Sequence, residues 1–325
     1  MFLPVWKTVV HLRRCWKKSA ISATLPSHRS SKIKKKSGGC YHTSRDTPHM
    51  DHLQSPTPAT ATLAIQHKHP RDDLITFDEK PHLYYIEGRG GYTSVTTWNH
   101  SHFAHFDADA ILDKMQHKID TDSAYKYYKM SRDEIKRDWD KNRDQAANAG
   151  TRMHADIENY WNGLSVHNDS LEYSFFLQFV QDFPHLKPYR TEWMVFYEEY
   201  KLAGSIDMVF ENPDDGTLEI YDWKRSKEIS YEAYGDKTAT TACIRHLPDC
   251  NFWHYALQLN VYKTILEHKY GKRVTGLYLV CLHPDYVYKT YERIPVPVLA
   301  KEMSDLLEHR AAELAATISS KIKLE

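Results

Sequence analysis

Leu202–Lys224 reads LAGSIDMVFENPDDGTLEIYDWK. Two strand-like runs, LAGSIDMVF and GTLEIYDWK, flank Asn212-Pro213-Asp214-Asp215-Gly216, a strong hairpin signal. Asp207 falls deep in the first run, and Asp222 and Lys224 stand two apart in the second. A strand has a side-chain period of two, so Asp222 and Lys224 share a face. Two carboxylates and an ammonium on a largely apolar hairpin cost free energy unless they bind something, typically a divalent cation. The plain alternative is a surface hairpin with a salt bridge.

The flanking sequence bears on that choice. Upstream, Gly150–Trp161 (GTRMHADIENYW) reads as a helix with His154 and Glu158 four apart on one face. Downstream, Phe252, Tyr255, Leu259, Tyr262 and Leu266 recur at helical spacing and Gly271 is the expected stop. That helix places Gln258 and Tyr262 on one face. Helix-His, strand-Asp, strand-Asp-x-Lys, helix-QxxxY resembles the RecB-like branch of the PD-(D/E)XK nuclease superfamily. That branch includes mitochondrial genome maintenance exonucleases and CRISPR-associated RecB-like nucleases. Ser94–Thr97 (SVTT) is also similar to that branch, and the resemblance covers roughly residues 74–292.

The resemblance implies an α/β fold: a restriction-endonuclease-like core, with a mixed central sheet flanked by helices and a helical N-terminal elaboration. It implies Mg²⁺ or Mn²⁺ held by His154, Asp207, Asp222 and the Trp223 carbonyl. Lys224, with Asp207 and Asp222, would carry the chemistry, the lysine positioning the attacking water or steadying charge on phosphorus. Glu192, in the preceding strand, resembles a glutamate often found beside such sites, and is otherwise a solvent-facing strand residue. Glu158 either orients His154 or is structural. Gln258 and Tyr262 would organise the site and touch nucleic acid. Arg225, Lys227, Arg245 and Lys263 are candidate phosphate contacts, and Tyr231, Trp253 and Tyr255 candidate stacking platforms for single-strand bases. The implied activity is a Mg/Mn-dependent deoxyribonuclease, a single-strand exonuclease hydrolysing phosphodiester bonds in DNA maintenance or repair. A structure-specific endonuclease, an RNase, or a nuclease-like protein that binds without cutting are the alternatives. The expected partner is DNA with single-stranded ends. No G-x-x-x-x-G-K-[ST] occurs, so a helicase or polymerase partner would be a separate chain.

The 325 residues suffice for one full core plus a tail, with a targeting tail and linker over 1–70 and the nuclease domain over 71–325. The chain holds 43 basic and 43 acidic residues, but residues 1–45 carry eleven Lys/Arg and no Asp/Glu, leaving a body of formal charge −11. An acidic body that binds nucleic acid has to concentrate its basic residues locally. The start is amphipathic, basic and acid-free and a Ser-rich stretch follows, the composition of a mitochondrial transit peptide. Lys32–Lys36 could instead serve nuclear import or bind phosphate, so nuclear or cytoplasmic residence stays open. Of the five cysteines only Cys243, Cys250 and Cys281 lie in the core, without C-x₂-C, so no iron–sulfur cluster is expected. No apolar run approaches the roughly 20 residues that span a bilayer, and no membrane association is expected.

Along the chain, Ile75–Gly90 reads as a hairpin and Phe106–Gly163 as helical with a Ser131/Glu134 capping box. A helix follows over Leu171–Phe183, then a strand over Thr191–Tyr200. A long loop runs from Lys224 to Asn251. Val274–Pro284 reads as a strand with a hairpin partner over Tyr286–Arg293, and Val298–Ile318 as a closing helix.

Overall fold

The computed structural model describes residues 61–322. The segment read as a targeting tail, and its alternative as a basic arm, lies outside the described residues. So do Cys15 and Cys40. The fold is mixed α/β, a six-stranded mixed sheet flanked by helices.

The described chain begins earlier than the expected boundary at residue 71. A short helix α1 (Leu63–Gln66) and a 3₁₀ turn (Pro70–Leu74) pack on the strand that carries Arg190. Arg190 is 5% exposed, and a guanidinium that deep needs an acid. Asp72 Oδ2 accepts from its Nη1 at 2.6 Å, the His67 carbonyl accepts from the same nitrogen at 3.1 Å, and Asp72 Oδ1 accepts from Trp193 Nε1 at 2.9 Å. The last part of the expected linker therefore belongs to the domain.

The expected hairpin forms as β1 (Ile75–Asp78) and β2 (Leu83–Ile86), a separate two-stranded sheet. β3 (Thr93–Ser94) leads into α2 (Val95–His100), capped by Ser94, whose hydroxyl accepts from Thr97 N at 3.0 Å. The helical stretch resolves into α3 (Ala108–Thr121) and α4 (Arg132–Trp161). The capping box closes as expected, Ser131 N donating to Glu134 Oε2 at 2.8 Å and Glu134 N to Ser131 Oγ at 3.3 Å.

Then come α5 (Leu171–Asp182), β4 (Lys187–Tyr197), β5 (Leu202–Glu211), β6 (Leu218–Lys224), α6 (Asn251–Lys269), β7 (Val274–Cys281), β8 (Glu292–Pro295) and α7 (Ala300–Ile322). Gly271 follows α6 at φ +61°, the left-handed conformation a glycine adopts at little cost when a helix ends. The loop between β6 and α6 holds one 3₁₀ turn (Ala242–Ile244) and a Thr238↔Pro248 bridge. The last hairpin strand starts later than expected: Tyr286 to Tyr291 form the turn, which leaves Val287 and Tyr288 exposed.

The main sheet runs β3-β5-β6-β7-β8, with β4 pairing β5. β3∥β5 and β6∥β7 are parallel, while β4–β5, β5–β6 and β7–β8 are antiparallel. Met153 and Ile157 of α4 and Phe175, Phe176 and Phe179 of α5 cover one face, against Met208, Phe210, Tyr221 and Trp223. Val95 of α2, much of α6 and Leu306 of α7 cover the other, against Ile220 and Leu279. The alternation of β6 divides it cleanly: Tyr221 and Trp223 face α4 and α5, whereas Ile220, Asp222 and Lys224 face α6.

A candidate metal centre at a fork in the sheet

One edge of β5 is shared by two strands. β3 pairs with Leu202 and Ala203, and β6 with Met208 to Glu211. Residues 204–207 lie between these pairings, and the β5–β6 ladder stops at Met208↔Tyr221. The next opposed residues would be Asp207 and Asp222. The hairpin thus opens where its acids stand. Instead of a backbone carbonyl, the Asp207 carboxylate takes the Trp223 N–H, at 3.0 Å to Oδ2.

The fork is filled from both faces. From α4, His154 Nδ1 lies 3.5 Å from Asp207 Oδ2 and 3.9 Å from Glu192 Oε1. Its Nε2 is 2.9 Å from the Trp223 carbonyl, which can only accept, so Nε2 carries a proton and Nδ1 turns to the acids. From α6, the Tyr262 hydroxyl fits against Gly204; a Cβ there would stand 2.8 Å from that oxygen and 2.9 Å from the ring. Gly204 therefore admits the tyrosine of the QxxxY pair to the fork.

Glu192 is the member that sequence left undecided. The β4–β5 register passes from Thr191↔Met208 to Trp193↔Ile206, which sets Glu192 opposite Asp207. Its φ is +41°, rare for a residue with a side chain and costing about 1–3 kcal/mol. Ser205 donates to its Oε2 at 2.9 Å. A signal existed: counting back from the Tyr197↔Leu202 pair at the turn puts residue 192 beside residue 207.

His154, Glu192 and Asp207 offer ligand atoms all within 4.8 Å of one another. Ligands at octahedral Mg²⁺ or Mn²⁺ distances lie about 3 Å apart when adjacent and about 4 Å when opposite, and the separations of His154 Nδ1 from the two acids, 3.5 and 3.9 Å, fall in that range. Two hard carboxylates with one imidazole suit Mn²⁺ and Mg²⁺. Burial alone would lower the His154 pKa, yet Asp207 and Glu192 outweigh it and raise it to about 9. An ion bound at Nδ1 would displace that proton. Burial raises the Asp207 pKa, with His154 pulling the other way.

Asp222 stands next to this set but not in it. Its Oδ2 lies 2.6 Å from Lys224 Nζ, an ion pair whose angles leave that oxygen without a hydrogen bond. Burial pushes the Asp222 pKa up to about 6 against the pull of Lys224. Burial would lower the Lys224 pKa, but Asp222 and Asp207 overcome it and raise it. The ammonium also lies 4.5 Å from the centre of the Tyr255 ring.

Other expected residues take different places. The Trp223 carbonyl is committed to His154, so it orients the imidazole, the usual role of an acceptor behind a ligating histidine. Arg225 Nε donates to Glu172 Oε1 at 2.9 Å with both side chains largely buried, so it ties the β6 exit to α5 and is no free phosphate contact. Lys227 pairs with Asp285 on the surface at 2.9 Å. Lys263 holds Glu267 and the Val274 carbonyl, away from the fork. Arg245 is exposed on the long loop. Glu158 sits half-buried, its pKa raised by burial and then by Glu192, and lines with Glu192 a cavity of about 240 Å³. Tyr231 is 52% exposed against Phe252, while Trp253 and Tyr255 are half-buried.

The chain matches no protein-family model and no curated protein.

Proposed function

We propose that this protein is a metal-dependent DNA nuclease of the RecB-like, PD-(D/E)XK type, cutting single-stranded ends by hydrolysis. One observation carries the reading: at an opening in the sheet, Glu192 and Asp207 converge on His154 with ligand atoms within 4.8 Å of one another, beside a buried Asp222–Lys224 pair. A cluster of that charge is costly to bury unless a cation joins it. Its order along the chain is also the order that the sequence resemblance gives.

In this reading Asp207, Glu192 and His154 Nδ1 hold Mg²⁺ or Mn²⁺, and Asp222 completes the site once its carboxylate turns from Lys224. The ion would neutralise charge on the phosphate and lower the pKa of a bound water. Lys224, paired with Asp222, would steady charge on the reacting phosphate. The Trp223 carbonyl and Trp223 N–H fix His154 and Asp207 respectively, so the metal groups need little rearrangement. Tyr262, packed on Gly204, closes the floor of the opening. The N-terminal composition extends the reading to mitochondria, with any helicase or polymerase a separate chain.

The test is incubation of the purified chain with end-labelled single- and double-stranded DNA and RNA in Mg²⁺, Mn²⁺ or EDTA. Shortening of single-stranded DNA with either metal and none with EDTA is expected. Absence of cleavage on every substrate and metal overturns the proposal.

A further inference from the structure

We propose that the cavity between α2 and α6, beside Lys224, receives one unpaired nucleobase of the strand being cut. The inference rests on the nuclease reading and assigns a place to a part of the substrate which that reading leaves unplaced.

The cavity is about 170 Å³ and is lined by Thr96, Asn99 and His100 of α2, by Asn251, His254, Tyr255 and Gln258 of α6, and by Lys224. Its walls follow from helix spacing. Thr96, Asn99 and His100 face it from α2, while Val95 and Trp98 of that helix are buried in the core. Asn251, His254, Tyr255 and Gln258 face it from α6 at intervals of three and four.

The lining is polar but almost uncharged, and that decides what it can take. Asn99 Nδ2 is spent on the His254 carbonyl at 2.6 Å. Asn251 is spent twice, its Oδ1 accepting from Ser230 N at 2.8 Å and its Nδ2 donating to the Glu228 carbonyl at 2.9 Å. His254 is held by Asp249 at 2.9 Å. These groups make rigid walls. Thr96 and His100 are left to meet a guest, and burial holds the His100 pKa down near 4, so its ring is neutral at physiological pH. A phosphate would need more positive charge than one lysine already paired with Asp222. A heterocycle needs neutral donors and acceptors and an aromatic face, which Tyr255 offers. Room for a single planar base excludes a base pair, so the nucleotide has to be unpaired.

Position gives the same answer. Lys224, the group that would face the reacting phosphate, lines the cavity, so a base seated there belongs to a nucleotide flanking the scissile bond. The other cavity, beside Glu192, is lined by Glu158 and Glu192 together with the Asp72–Arg190 pair, a net negative lining that disfavours a phosphodiester strand.

The experiment uses the full chain and a single-stranded oligodeoxynucleotide with 2-aminopurine at its first and second end positions, in Ca²⁺ to hold cleavage back. Wild type should shift the probe's fluorescence. Thr96→Trp, which fills the cavity, should bind the probe at least ten-fold more weakly while retaining wild-type Mn²⁺ affinity by calorimetry. Wild-type probe binding by Thr96→Trp overturns the inference. A substrate-side arm covers the case in which that variant does not fold: with Mg²⁺, wild type should cut a strand bearing abasic nucleotides at those positions at least ten-fold more slowly than the intact strand. Equal rates also overturn it. A wild type that binds the probe through Thr96 yet cuts no strand sinks the nuclease reading and leaves the base receptor standing.

Discussion

Of the histidines that sit beside a carboxylate, His254 and His154 are built in opposite ways. His254 Nε2 meets Asp249 Oδ1 at 2.9 Å, with the side chains 5% and 1% exposed. Its ring lies 3.8 Å from that of Phe103, and its own carbonyl takes Asn99. Donor and acceptor match, and the pair is closed. His154 lies farther from its acid, at 3.5 Å, has a second acid within 4.0 Å, and stands where β5 and β6 part. Two carboxylates face one imidazole there, and Glu192 holds a left-handed backbone to be present. A histidine near an aspartate is therefore no signal of a metal site by itself. Two acids converging on one imidazole, held open by backbone that gave up its ladder pairing, are a much better one.

The hardest test of that contrast is removal of one acid from each pair. Asp207→Asn should lower metal-dependent cleavage by several powers of ten, since a lost metal carboxylate costs several kcal/mol of barrier. Asp222→Asn and Lys224→Ala should match it. Asp249→Asn should leave the turnover of the folded fraction within a few-fold of wild type. Steady-state rates on a labelled single strand decide it, and comparable losses at Asp207 and Asp249 would erase the distinction.

Stability should show the reverse ranking. His254→Ala leaves Asp249 buried without its partner and should cost about 3 kcal/mol in urea unfolding with EDTA. His154→Ala should cost less, and should lose most of the rise in melting temperature that Mn²⁺ confers on wild type. If Mn²⁺ stabilised His154→Ala as much as wild type, His154 would be an ordinary core histidine.

Gly204→Ala probes the open site without touching a charge. The new Cβ would crowd the Tyr262 ring, so overpacking of about 1–3 kcal/mol is expected, together with roughly ten-fold slower cleavage. Stability unchanged in urea would mean that the ring moves aside freely.

The smallest effect concerns a third buried histidine, which has no acid beside it. His102 Nδ1 meets Thr241 Oγ1 at 2.9 Å, its Nε2 has no partner, and burial lowers its pKa to about 4. The unfolded chain takes up a proton near pH 6.5 and the folded chain only near 4. Its contribution to stability is thus intact above pH 6.5 and is lost as the pH falls toward 4. His102→Gln should flatten the unfolding free energy over that window, measured beside wild type.

Much of this was legible from residue patterns, because local chemistry fixed it. The Asn-Pro-Asp-Asp-Gly turn sets the β5–β6 hairpin, the Ser131/Glu134 box starts α4, and period-two alternation puts Asp222 and Lys224 together on the α6 face. What escaped depended on partners distant in sequence. Arg225 reads as a phosphate contact until α5 brings Glu172 to it. Residues 62–70 read as linker because the need they help meet, a buried Arg190, lies far along the chain. Glu192 was undecided because its approach relies on a backbone conformation that side-chain patterns assign to glycine or asparagine. Asp222 and Asp207 looked like equal ligands, and only the point at which the strands separate shows one of them drawn to Lys224.

The shared edge of β5 also governs how the chain can assemble. β6 follows β5 through a tight hairpin, but the rest arrives from elsewhere: β3 pairs in parallel across the whole of α2 to β4, and β6 is itself buttressed by β7, beyond α6. Non-local and parallel pairings of this kind give high contact order and slow folding, since loop closure precedes any reward from contacts. The acids consequently have no fixed geometry on a ribosome-bound chain until α6 and β7 have emerged. Completion of the fork is a late step, reserved for a molecule whose sheet is already in place.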